Sequence, residues 1–124
     1  ATRFLGFIGS SSGVASVIYV ASDKLYFNPS TGTLNATEFN SLSDASYKEN
    51  FNSEIDSLDI INQIGTYSFN WKDNKKKSYG VIAQELEQIM PDLVTTNENG
   101  VKSVSYIPLI AILVDAVRKL SKDK

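Results

Sequence analysis

At 124 residues, 42% hydrophobic and with a net charge of −2, the chain has room for one modest core, or for a small domain plus a tail. That charge leaves no electrostatic footprint for nucleic acid or an acidic membrane. Cysteine and histidine are both absent, which removes disulfides, thiolate and imidazole metal sites, cysteine nucleophiles and Ser-His-Asp triads together. No acidic spacing resembles a calcium loop, and no apolar run approaches the ~20 residues of a membrane span. The Gly/Ser-broken run after Arg3 is not expected to be a signal peptide. The chain is expected to need no cofactor or metal.

Residues 1–42 carry only four charges, Arg3, Asp23, Lys24 and Glu38, and are rich in Ser, Thr, Gly and Asn. Phe4, Leu5, Phe7 and Ile8 precede the glycine- and serine-rich stretch from Gly9 to Gly13. Val14, Val17, Ile18, Tyr19 and Val20 favour strand, because β-branched and aromatic side chains suit a pleated surface. Asn28-Pro29-Ser30-Thr31-Gly32 is a turn signal between Leu25-Tyr26-Phe27 and Thr33-Leu34-Asn35. This part reads as short strands and turns with too small a core to fold alone, so a neighbouring chain or upstream sequence is expected to complete it.

The remaining charges fall in residues 43–124. Tyr47, Phe51, Ile55, Leu58 and Ile61 recur at spacings of four, four, three and three, which predicts a helix ending near Gly65. Ser53 with Asp56 three later is a helix-start signal, and Gly65 suits a left-handed cap. Tyr67, Phe69 and Trp71 alternate with polar residues as in a half-buried strand. Asp73-Asn74-Lys75 turns the chain and Ser78–Val81 returns it. Lys75-Lys76-Lys77 reads as a solvated turn rather than a nucleic-acid site, and Trp71 and Tyr79 as packing aromatics rather than a cage.

Ile82–Met90 reads as a short helix stopped by Pro91, with Ile82, Leu86 and Ile89 on one face. Glu85 and Glu87, two apart, point different ways and are expected to be solvated. Asn99-Gly100 signals a type I′ hairpin between Val94-Thr95-Thr96 and Val101–Tyr106. Pro108 suits the first turn of a last helix. There Leu109, Leu113, Ala116 and Leu120 form two heptads of a seam, widened by Ile110, Ile112, Val114 and Val117. That helix is expected to pack inside its own domain or against two further copies.

One pair is worth weighing for chemistry. Without histidine, a serine is activated by a lysine acting as its base, and Ser43 precedes Lys48 by five residues. Only about 0.04% of a lysine with an ordinary pKa is neutral at pH 7, so a base there needs burial or like-charge crowding. Five positions on a regular helix diverge by about 140°. Either Ser43 therefore lies outside the helix, or Lys48 meets a serine of another subunit. In the competing reading Ser43 or Asp44 caps a helix and Lys48 is solvated.

Ser43-Asp44 followed by Lys48-Glu49-Asn50-Phe51 resembles the opening motif of the peptidase S74 family, intramolecular chaperone domains at the C-termini of phage tail spikes, tail fibres and neck appendages. The resemblance continues through Tyr67–Lys72, Tyr79-Gly80-Val81-Ile82-Ala83-Gln84-Glu85-Leu86-Glu87, Met90–Val94, Lys102–Tyr106 and the terminal helix. Leu25–Leu34 looks like the repeats that end many phage fibre shafts. The chain departs from the common pattern at Ser46, where a basic residue is frequent, and at Phe51, where an aliphatic one is.

The resemblance implies an α+β fold with two parts: a β-rich shaft end over residues 1–42 and a helical-plus-hairpin chaperone over 43–124 with a trimerising C-terminal helix. It implies a homotrimer that folds the upstream fibre and is then released by single-turnover self-cleavage at Leu42-Ser43. Ser43 is then the nucleophile, Lys48 its base and Asp44 a positioning or capping residue. The cut proceeds by an acyl shift within one chain or by attack from a neighbouring Ser43. The partners are other copies of the chain and its own upstream domain, without nucleic acid or membrane. The setting is a virion precursor assembled in the bacterial cytoplasm. The alternatives are a permanent trimerising cap that does not cut and, less favoured, a receptor-binding tip.

Overall fold

The computed structural model describes residues 24–122. The strand expectation over Val14–Val20 and the run Phe4–Ile8 lie outside them. The chain divides into two compact units between Glu49 and Asn50.

In the first unit, β1 (Leu25–Asn28) pairs antiparallel with β2 (Thr33–Ala36), Leu25 opposite Ala36 and Phe27 opposite Leu34. Directly opposed residues share a face, so Leu25, Phe27, Leu34 and Ala36 form one apolar face. It is open: Phe27 is 59% and Leu34 69% exposed. The predicted turn closes through the Gly32 N–H to the Asn28 carbonyl, with Gly32 at a φ of 72°.

The second unit holds α1 (Ser57–Gln63), β3 (Tyr67–Asn70), β4 (Lys77–Gly80), α2 (Ala83–Ile89), β5 (Val94–Thr96), β6 (Lys102–Val104) and α3 (Tyr106–Lys122). It is α+β, with two separate antiparallel ribbons, β3–β4 and β5–β6. Leu86, Leu93, Leu109 and Ile112 form the core, with Ile60, Ile61, Ile64, Val81, Met90, Val94 and Val104 packed around it. Pro91 ends α2 as expected and opens a short 3-10 turn to Leu93.

Several expectations are corrected. The helix predicted from Tyr47 is confined to Ser57–Gln63. Tyr47 and Phe51 are 89% and 72% exposed, so no surface among the described residues rewards the ordering of a helix there. Gly65 is not left-handed. It is needed for space, since a β-carbon there would meet the Tyr67 hydroxyl at 2.7 Å and Glu85 Oε1 at 2.8 Å. Those two groups are bonded to each other, Tyr67 donating to Glu85 at 2.7 Å. Glu87 pairs with Lys102 at 3.0 Å, so the two glutamates point apart as expected but both find partners. Tyr79 stands opposite Ser68, on the other face of the ribbon from Phe69, which packs edge-on against Trp71. No aromatic cage forms from Trp71 and Tyr79.

The β5–β6 hairpin forms, but only Gly100 is left-handed, so its turn is not type I′. The loop closes by the Gly100 N–H to the Asn97 carbonyl. The β3–β4 loop closes likewise at Lys75, which donates to the Trp71 carbonyl at a φ of 62°. A β-carbon is strained in that region and glycine is not. Lys75→Gly is therefore expected to raise stability by about 1 kcal/mol, read from urea unfolding.

The heptad seam is also revised. Leu109, Ile112, Asp115 and Ala116 of α3 are buried, while Ile110, Leu113, Val114, Val117 and Leu120 are about half exposed. Leu109 and Ala116 thus face the domain and Leu113 and Leu120 do not. A polar clasp ties α3 to the start of α1. The fully buried Ser57 donates to Asp115 at 2.6 Å, and Arg118 and Lys119 reach the same carboxylate at 2.7 and 2.8 Å. Lys119 also donates to the Ile55 carbonyl.

These bonds, that from Lys119 foremost and then that from Ser57, hold the Asp115 pKa down to about 2. A carboxyl whose folded pKa is lowered stabilises the fold fully above its unfolded pKa, near 3.8, and loses that contribution as pH falls through 2. Wild type is expected to lose stability from about pH 4 to 2 more steeply than Asp115→Asn, measured by thermal unfolding across that range.

Candidate functional site

Asp44 organises the segment that carries the serine and the lysine. Its backbone is extended (φ −67°, ψ 133°) and its carboxylate accepts the Ser46 N–H at 2.9 Å, which caps a single 3-10 turn, Ala45–Tyr47. The Tyr47 N–H donates to the Asp44 carbonyl and the Lys48 N–H to the Ala45 carbonyl. Lys48 then leaves the turn in extended conformation (φ −124°, ψ 153°).

Because the turn is 3-10 and both ends are extended, the 140° divergence of an α-helix does not arise. Ser43 lies outside the helical turn, the first of the two geometries open to the sequence. Lys48 Nζ donates to Ser43 Oγ of the same chain at 2.5 Å. The two readings of the pair meet in one arrangement, since Asp44 is a cap and Ser43 and Lys48 are in contact. The Ser46 backbone N–H, and then its hydroxyl, hold the Asp44 carboxyl below its usual range. At ordinary pH Asp44 is therefore an anionic cap.

The surroundings are open. Ser43 and Lys48 are exposed, and Leu42 is 97% exposed. As drawn, the ammonium donates and the hydroxyl accepts. For Lys48 to act as a base it must first lose a proton, which burial away from water favours. Among the described residues no cluster of carboxylates could hold a metal ion, and no helix is long and apolar enough to cross a membrane.

Sequence reasoning missed a second grouping of serine, acid and lysine: Ser57, Asp115 and Lys119. Its signal was present, because Asp115 interrupts the buried face of α3 and a buried charge needs partners. Ser57 is closed to solvent, so no substrate reaches it and the group is structural.

Residues 43–95 match the model of the peptidase S74 family, described as chaperone of endosialidase. The matched span begins at Ser43, takes in the 3-10 turn, α1, the β3–β4 ribbon and α2, and ends within β5. A search of curated proteins returns no match.

Because Asp44 caps the turn by accepting the Ser46 N–H, asparagine is expected to replace it and alanine is not. Asp44→Asn is predicted to keep the backbone amide shifts of residues 45–48, and Asp44→Ala to move them towards random-coil values, measured by NMR.

Proposed function

Residues 43–95 are a chaperone-of-endosialidase segment, and from that premise we propose that the chain is an intramolecular chaperone that trimerises and folds a phage fibre or appendage, then cuts itself away at Leu42-Ser43. Its setting is a virion precursor assembled in the bacterial cytoplasm. The observation that carries the reading is the contact of Lys48 Nζ with Ser43 Oγ, at the bond where the matched segment begins.

The chemistry follows from that pair. Unprotonated Lys48 takes the Ser43 hydroxyl proton, and Oγ attacks the Leu42 carbonyl carbon. The C–N bond breaks, Lys48 returns the proton to the Ser43 nitrogen, and an ester joins Leu42 to Ser43 Oγ. Water then hydrolyses the ester, leaving a Leu42 carboxylate and a released chain beginning at Ser43. With Ser43 and Lys48 in contact on one chain, the nucleophile does not need a base from a neighbour. Neighbouring copies that cover the exposed pair would exclude water from it, so cutting is expected to wait for assembly. Release makes assembly irreversible in practice, since the folded trimer no longer carries its folding aid.

Two uncovered apolar faces support self-association. One is the Leu25, Phe27, Leu34, Ala36 face of β1–β2. The other is Ile110, Leu113, Val117 and Leu120 on α3, spaced three, four and three as in a coiled-coil seam. A two-stranded ribbon alone is marginal in water, and an exposed seam of this kind favours a like helix. The exposure of Lys48 is the observation that favours the second reading, a permanent trimerising cap that never cuts.

Intact mass of freshly purified protein separates the two readings. The first expects a break between Leu42 and Ser43 that is missing from Ser43→Ala and Lys48→Ala; an uncut trimeric wild type supports the permanent cap. Leu113→Asp is expected to dissociate the trimer, read by sedimentation, while a wild-type trimer in that variant would remove α3 from the interface.

A further inference from the structure

Asparagine is a thermally labile side chain, and most so where the next residue has no side chain to shield its backbone nitrogen. Asn99-Gly100 is the one Asn-Gly step in the chain, and both residues are exposed at the tip of the β5–β6 hairpin. The turn takes glycine for its backbone, since Gly100 has a φ of 80°. A β-carbon there would meet nothing within 4 Å, so the space beside the Gly100 backbone is open.

A single residue, Asn97, holds this tip. Its Oδ1 accepts the Asn99 N–H at 2.9 Å and the Val101 N–H at 3.0 Å. Its carbonyl accepts the Gly100 N–H at 3.0 Å, and its own N–H donates to the Val101 carbonyl at 3.0 Å. Asn97 thus binds the chain on both sides of the Asn99-Gly100 step. The Gly100 nitrogen becomes a nucleophile only on losing its proton, and donation of that proton to the Asn97 carbonyl favours the protonated form. The same bonds fix the backbone of Asn99, so the Gly100 nitrogen and the Asn99 side-chain carbon are not free to rotate into a ring.

We propose that Asn99 is a self-modification site, an amide that the chain converts to an acid when the hairpin tip opens, and that Asn97 is the clasp that sets the rate. The Gly100 nitrogen gives its proton to solvent and attacks Asn99 Cγ. The side-chain nitrogen takes up a proton and leaves as ammonia, and a cyclic imide remains. Water then opens the imide at either carbonyl, leaving aspartate at position 99 or, with the main chain rerouted through the side chain, isoaspartate. Either product adds a negative charge beside Glu98. The second also lengthens the main chain within a hairpin whose Val94 and Val104 pack on the core. The site records the time that the tip spends open, whether or not the chain cuts itself or associates.

The test follows the mass gain of an amide-to-acid exchange, mapped to residue 99 by peptide fragmentation, in the full chain and in any product that begins at Ser43. Wild type held folded at mildly alkaline pH is compared with wild type unfolded in guanidinium, and with folded Asn97→Ala and Asn97→Asp. The unfolded chain is expected to convert fastest. Asn97→Ala, which lacks both bonds to Oδ1, is expected to convert about tenfold faster than folded wild type. Asn97→Asp, whose carboxylate still accepts both N–H groups, is expected to stay within about twofold of wild type. No conversion at residue 99 in the unfolded chain overturns the site. Folded wild type converting as fast as the unfolded chain, or Asn97→Ala converting no faster than wild type, overturns the clasp. Asn97→Asp converting as fast as Asn97→Ala overturns it too.

Discussion

One accepted hydrogen bond, from the Ser46 N–H to the Asp44 carboxylate, sets the geometry on which the proposed function depends. It caps a single 3-10 turn, Ala45–Tyr47, flanked by extended backbone at Asp44 and Lys48. The side chains at its two ends then converge, where an α-helix would hold them apart. The cap is anionic at ordinary pH because the amide it accepts favours the charged carboxylate. A base role for Asp44 would leave that amide without its partner.

The described residues close one small core and leave two apolar faces uncovered. The second unit closes a core around Leu86, Leu93, Leu109 and Ile112, which seats α3 on α1 and the β5–β6 hairpin on α2. The opposite side of α3 remains apolar and open, as does one face of the β1–β2 ribbon. The Asp115 clasp fixes α3 from its buried side, so the open side is presented on a rigid helix. The proposed association of further copies would cover the exposed serine–lysine pair, the open seam and the open ribbon alike.

Much of this was legible in the residues. Period-2 alternation found β3, proline and glycine placed the stop of α2 and the turns, and the S74-like motif marked the start of the segment that the family model matches, although the resemblance was drawn on to the terminal helix and the match ends at residue 95. The failures have physical causes. Tyr47 and Phe51 fit a helical period, but a period predicts a helix only where a surface buries it, and the described residues supply none. Gly65 was read for its backbone freedom when its role is to leave room for Tyr67 and Glu85. The seam on α3 was rotated, because Leu109 and Ala116 are drawn inward beside Asp115, whose partner Ser57 lies 58 residues away and leaves no local pattern. Contact between Ser43 and Lys48 was beyond the sequence, since it turns on whether five residues form an α-helix or a capped 3-10 turn.

The central claim is that one chain supplies both nucleophile and base. Co-folding Ser43→Ala chains with Lys48→Ala chains of distinguishable mass tests it directly. In the mixed assembly the Lys48→Ala chain keeps its serine and its neighbour keeps its lysine. The account predicts that neither chain is cut, while wild type assembled under the same conditions is. Cleavage of the Lys48→Ala chain in the mixture would show that a neighbour's lysine serves its serine, and would contradict the account.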